Sequence, residues 1–127
     1  MNPTVLSLCF FDAPDVTLMI LSRGTQYHPK LHAEANEYVR NLPLKRRLKL
    51  MALELAREIN AETSMLRHLD EFPADGAQEK EVRANLTVAE TALAGLCEVL
   101  DVTTDDIQGE FMSSMRAHTK WIHANVI

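Results

Sequence analysis

The chain has 127 residues, of which 46% are hydrophobic and 24% charged, a balance typical of a soluble globular protein that excludes wholesale disorder. At this length we expect a single helical domain over residues 1–127 that buries its own core without disulfides or metals. The formal net charge of −5 makes nucleic acid an unlikely partner, because the phosphate backbone attracts positively charged surfaces.

The first 24 residues are compatible with two structures. Asp12 can cap a helix over residues 13–23, which Gly24 then ends. Alternatively, the β-branched and aromatic residues of 5–11 and 16–22 can form a hairpin around residues 12–15. Acidic residues and Pro14 interrupt the apolar run, and no basic residues precede it, so we predict neither a signal peptide nor a membrane span.

Four further helices are predicted, over residues 29–41, 44–72, 78–100 and about 103–124. Pro29 suits a first helical position, Pro73 ends the longest helix, and Thr103 or Thr104 can cap the last one. Because the connections are short, neighbouring helices are expected to pack antiparallel. The sequence therefore predicts an all-α fold: an antiparallel helical bundle of four main helices with an N-terminal helical or hairpin segment.

Apolar side chains in the two longest helices recur at alternating spacings of four and three, which places them on one stripe of each helix. The first stripe consists of Leu48, Ala52, Leu55, Ile59, Glu62, Leu66 and Leu69, and the second of Val82, Leu86, Ala89, Leu93, Leu96 and Leu100. Such stripes suit packing within one chain or between two chains. The apolar N-terminal segment either joins the core or seals a subunit interface, and we expect a homodimer to which it contributes.

Positive charge is concentrated where the longest helix begins. Residues 40–49 carry five cations and no acid, whereas residues 51–110 carry four basic and fourteen acidic residues. We call these five residues the basic cluster: Arg40, Lys45, Arg46, Arg47 and Lys49. Cations at a helix N-terminus oppose its dipole, so either acids of the same chain or an acidic partner should compensate them. The cluster is accordingly a candidate site for binding another protein.

Two polar residues interrupt apolar stripes. Glu62 lies on the stripe of the longest helix, and His118 lies among Phe111, Met115 and Ile122 on the last helix. Such residues are rare in a core unless they are paired. They are a possible buried polar pair, with a structural role favoured over a catalytic one.

Two short patterns resemble those of enzyme families. Arg116 and His123, separated by six residues, resemble the arginine–histidine motif of HEPN-type ribonucleases, whose two residues act on the RNA phosphate and the 2′-hydroxyl. The pairs Glu34/Glu37 and Glu98/Asp101 are similar to the carboxylate pairs of all-α nucleotide pyrophosphohydrolases, which hold Mg²⁺ over a triphosphate. The resemblance implies, as the alternative function, an all-α hydrolase acting on RNA or nucleotides.

The leading prediction is a small cytoplasmic regulatory or adaptor protein that acts by protein–protein interaction, for example an anti-activator or an inhibitor. Cys9 and Cys97 lack the spacing of a metal or redox motif, so we expect reduced thiols in the cytoplasm. We assign no catalytic residue, no metal site and no cofactor. The predicted partner is another protein, for example an acidic one, and we predict no binding to a membrane.

Overall fold

The computed structural model describes residues 14–22, 29–72 and 76–125, and these ranges are helical apart from short connections. They form five helices and no strand: α1 (Pro14–Ser22), α2 (Pro29–Arg40), α3 (Leu44–Glu71), α4 (Gly76–Leu100) and α5 (Thr104–Asn125). The all-α prediction is confirmed, and the helix bounds agree with the predicted ones within about two residues. Residues 16–22 are helical rather than part of a hairpin, whereas residues 5–11 lie outside the described ranges.

Helix α1 is the most deeply buried element. Five of its side chains are at most 2% exposed: Val16, Thr17, Leu18, Met19 and Leu21. It contacts α2, α3 and α5. This part of the N-terminal segment therefore joins the core of its own chain, which is one of the two outcomes expected from the sequence.

Helices α3 and α4 share the most extensive helix–helix contact in the described ranges. Alanines at positions 52, 56 and 89 are almost fully buried in the common core, and small side chains let helix axes approach closely. Larger side chains complete this core: Leu50, Leu53, Ile59, Leu93, Cys97, Leu100, Ile107 and Phe111. Burial of the Cys97 thiol, with a smaller contribution from the charge of Asp106, raises its pKa above the ordinary value.

The connection between α4 and α5 is defined by specific backbone and side-chain hydrogen bonds. Asp101 has a φ of 58°, and the N–H groups of Asp101 and Val102 donate to the carbonyls of Glu98 and Cys97, as in a Schellman motif. Thr103 then caps α5: the Asp106 N–H donates to Thr103 Oγ1 at 3.0 Å, and the Thr103 N–H donates to Asp106 Oδ2 at 3.2 Å. This reciprocal cap fixes where α5 begins.

None of the helices in the described ranges has both the length and the hydropathy that a bilayer crossing requires.

Candidate protein-docking site

The basic cluster divides into an inward and an outward half. Arg46 donates from Nε and Nη2 to Asp15 Oδ1, each at 3.1 Å, and Lys49 Nζ donates to Asp15 Oδ2 at 2.9 Å. The Asp15 side chain is only 17% exposed. Two of the five cations are thus compensated by an acid at the start of α1, which ties α1 to α3.

Lys49 also connects α3 with α5. Its Nζ lies 3.0 Å from Glu110 Oε1, so this ammonium group bridges two carboxylates. Burial lowers the pKa of Lys49, but hydrogen bonds to Asp15 and Glu110 and the charges of both carboxylates outweigh this effect, and the pKa is raised overall. The charged form of Lys49 is therefore favoured in the folded state.

The outward half consists of Arg40, Lys45 and Arg47. These three side chains are exposed, and none forms an ion pair with another residue of the described ranges. No acid lies in the first turn of α3, and Pro43 supplies no side-chain cap there. The positive end of the helix dipole and three cations therefore face solvent together.

A cavity of about 380 Å³ lies beside this helix end. Its apolar walls come from Pro43, Leu100, Val102 and Ile107, and its charged side chains are Asp15, Lys45, Arg46 and Lys49. The volume falls within the range of pockets that bind ligands or an anchoring side chain. Leu44, which is 68% exposed, adds an apolar side chain beside Lys45 in the sequence. The arrangement can bury an apolar group of a bound molecule in the cavity, while the groups next to it on that molecule meet the positive charge of the basic cluster.

The second predicted feature, the pair of Glu62 and His118, is only partly placed. Glu62 is half-buried in a groove between α3 and α4 whose lining includes Arg57, Glu58 and Asn85. The side chain of His118 lies outside the described part of the structure. The pairing of the two residues therefore stays a prediction.

The residues behind the enzyme resemblances lie at the surface. Arg116 and His123 are exposed on α5, as are Glu37 on α2, Glu98 on α4 and Asp101 after it, while Glu34 is half-buried. Within the described ranges, no group of three or more His, Cys, Asp or Glu side chains is placed to hold a metal ion. The roles that the resemblances imply for these residues stay predictions.

Sequence reasoning identified the cations but not Asp15 or the cavity. Asp15 had a signal, since it is the charged residue directly before residues 16–22, a segment that carries no charge. The cavity had none, because its lining combines the start of α1 with the connections before α3 and before α5, which are distant along the chain.

The comparisons with known proteins give no relative for this chain. No family model, no curated protein and no solved structure matches it. What the structure defines is an all-helical protein with an apolar cavity beside an uncapped, positively charged helix end.

Proposed function

We propose that this protein is a small cytoplasmic regulator or adaptor that acts by binding another protein through its helical faces, for example as an anti-activator or an inhibitor. The proposal includes the arrangement predicted from the sequence, an antiparallel bundle of four main helices. One observation carries it: the cavity of about 380 Å³ combines apolar walls with Lys45 at its edge. Apolar pockets beside unpaired charges are typical of surfaces that recognise a partner helix or segment.

The proposed partner segment is acidic and carries one large apolar side chain. That side chain enters the cavity and contacts Leu100, Val102 and Ile107, while acidic neighbours approach Arg40, Lys45 and Arg47. Burial of the apolar side chain supplies most of the affinity, about 25 cal/mol for each Å² removed from water. The three exposed cations mainly accelerate association, because charges at the edge of an interface steer the encounter.

The two halves of the basic cluster then have different roles. Arg46 and Lys49 hold α1 and α5 against α3 through Asp15 and Glu110, so their substitution lowers the stability of the fold. Lys45 and Arg47 are exposed, so their substitution leaves the fold intact and reports on binding. This division allows a docking role to be tested without unfolding the protein.

The test is an affinity capture from the native host, read by mass spectrometry, with three forms of the full chain. The wild type is compared with the double variant Lys45→Glu/Arg47→Glu and with Lys120→Glu, a control at an exposed lysine on α5. A partner that binds as proposed is captured by the wild type and the control, and is lost from the double variant.

The captured partner is then examined by association kinetics at increasing salt. Lys45→Gln/Arg47→Gln should slow association and flatten its salt dependence, with dissociation changing less. Capture that is equal for all three forms, or association rates that the double variant leaves unchanged, would refute the proposed site.

A further inference from the structure

From residue 84 to residue 99, about four turns, one face of α4 is exposed and carries no charge, and Glu81 lies on the same face one turn before it. Val88 and Val99 are 70% and 71% exposed, and the other members of this face, Ala84, Ala92 and Gly95, are exposed as well. At about 100° per residue, the five residues lie within roughly 40° of one line along the helix. This α4 face points away from the buried side of the helix, which contains Leu93 and Cys97.

We infer that the α4 face binds the same face of a second copy of this chain, with the two helices antiparallel. The argument rests on two charged residues that flank the face on the same side, Lys80 near its beginning and Glu98 near its end. Both are exposed, and neither forms an ion pair within the described ranges.

Antiparallel pairing brings these two charges together. When two identical helices pack antiparallel, the same flank of each meets across the interface, and residues equidistant from the two-fold axis face each other. An axis near residue 89 places Lys80 of each copy opposite Glu98 of the other, which gives two equivalent ion pairs. In a parallel pair, Lys80 would instead meet the side of the partner helix that carries Glu81, and Glu98 would face Leu96, so only the antiparallel pair matches both charges.

The size of the side chains also suits a second helix. Between the two charges, the flank carries Thr87, Thr91 and Ala94, so nothing large or charged separates the helices along this side. Val88 lies next to the axis and would pack against its counterpart. The cavity is lined by Leu100, on another side of α4, so the dimer does not depend on the proposed docking function and leaves that cavity open.

The expected dimer is a weak one. A helix of 25 residues is about 37 Å long, and a single helix pair of this length buries less than the roughly 1,600 Å² of a standard interface. A groove between α3 and α4 that includes Val88 adjoins the α4 face and adds some contact area. We therefore expect dissociation in the micromolar range and a mixture of monomer and dimer at intermediate concentrations.

The experiment is sedimentation equilibrium of the full chain under reducing conditions. Protein concentrations from about 1 to 300 μM bracket the micromolar dissociation constant expected for an interface of this size. Val88→Glu places two carboxylates beside the axis and should weaken the dimer at least about tenfold, by burying unpaired like charges. Met112→Glu is the matched control, because Met112 is also a large exposed apolar residue but lies on α5. Circular dichroism melting curves verify that both variants fold.

Charge exchange tests the orientation. Lys80→Glu and Glu98→Lys should each weaken the dimer about three- to tenfold, and the double exchange in one chain should restore it, because each copy then again offers complementary charges. A protein that stays monomeric throughout the range overturns the inference. So does a dimer that Val88→Glu leaves intact, or one whose single charge variants are not rescued by the double exchange.

Discussion

Asp15 and Lys49, which are 34 positions apart in the sequence, join α1 to α3. Lys49 Nζ donates to Asp15 Oδ2 at 2.9 Å, and Arg46 donates to the other oxygen of the same carboxylate. Lys49 continues to Glu110 on α5, so one network of four charges links α1, α3 and α5. The network compensates two of the five cations of the basic cluster, which would otherwise oppose the helix dipole.

Asp15→Asn should lower the free energy of unfolding by about 2 kcal/mol, because it removes the charge of the carboxylate that the partly buried Arg46 and Lys49 share. Urea denaturation at neutral pH measures the change. Glu79→Gln is the control, since it removes an exposed carboxylate from an i,i+4 pair with Arg83 on α4 and should change stability by only about 0.3 kcal/mol. Equal effects of the two variants would contradict a structural role for the network.

Stability should fall in alkaline solution in a way that Lys49 controls. The pKa of Lys49 is raised above its ordinary 10.5 in the folded state, so the folded protein holds this proton more tightly than the unfolded chain does. The stabilisation is therefore complete below pH 10.5 and is lost as the pH rises through the folded-state pKa. The groups that face Lys49 are the carboxylates of Asp15 and Glu110, with Arg46 beside them.

The measurement compares the wild type with Lys49→Met in urea from about pH 9 to about pH 11.5, a window in which lysines lose their protons. The difference in unfolding free energy should be constant at the lower end and shrink towards the upper end. Groups that titrate equally in both proteins cancel in this difference. A gap of constant size over the whole window would show that the ion pairs of Lys49 do not stabilise the fold.

The helices could be predicted because their signals are local. Spacings of four and three along the chain, together with Pro29, Pro73 and the threonines near residue 103, are read without knowledge of the tertiary structure. The buried face of α3 is nevertheless wider than its predicted stripe, since Leu50 and Leu53 are buried too. Helix α3 contacts α1 and α5 as well as α4, and a single stripe describes only one such neighbour.

The candidate site could be predicted only in part, because it depends on contacts between distant residues. The sequence identified five cations as one cluster, but only the position of Asp15 divides them into a structural and an exposed half. The α4 face was also missed. Its residues are uncharged and exposed, and hydrophobic periodicity detects the opposite, buried side of the same helix.

Thr103→Ala should lower the free energy of unfolding by about 1 kcal/mol, because the first turn of α5 loses the side-chain acceptor for the Asp106 N–H. Thermal or urea unfolding measures the loss. Thr87→Ala is the matched control, since Thr87 donates to the Arg83 carbonyl within α4 and caps no helix. Alanine has the higher helix propensity there, so the control should be neutral or slightly stabilising. A loss of similar size in both variants would contradict the capping role.

Asp101→Gly should stabilise the protein. Asp101 adopts a φ of 58° directly after α4, a conformation that glycine takes without steric strain, and its carboxylate lies at the negative end of the helix dipole. The expected gain in unfolding free energy is about 0.5–1 kcal/mol, reduced somewhat because glycine also gives the unfolded chain more freedom.

Asp101→Asn separates the two causes, steric strain and the helix dipole, since it removes the charge but keeps a side chain that tolerates this conformation. If strain dominates, glycine stabilises more than asparagine in urea denaturation; if the dipole dominates, the two variants are equal and raised salt abolishes the gain. Destabilisation by both would show that the Asp101 side chain makes a favourable interaction in the turn before α5.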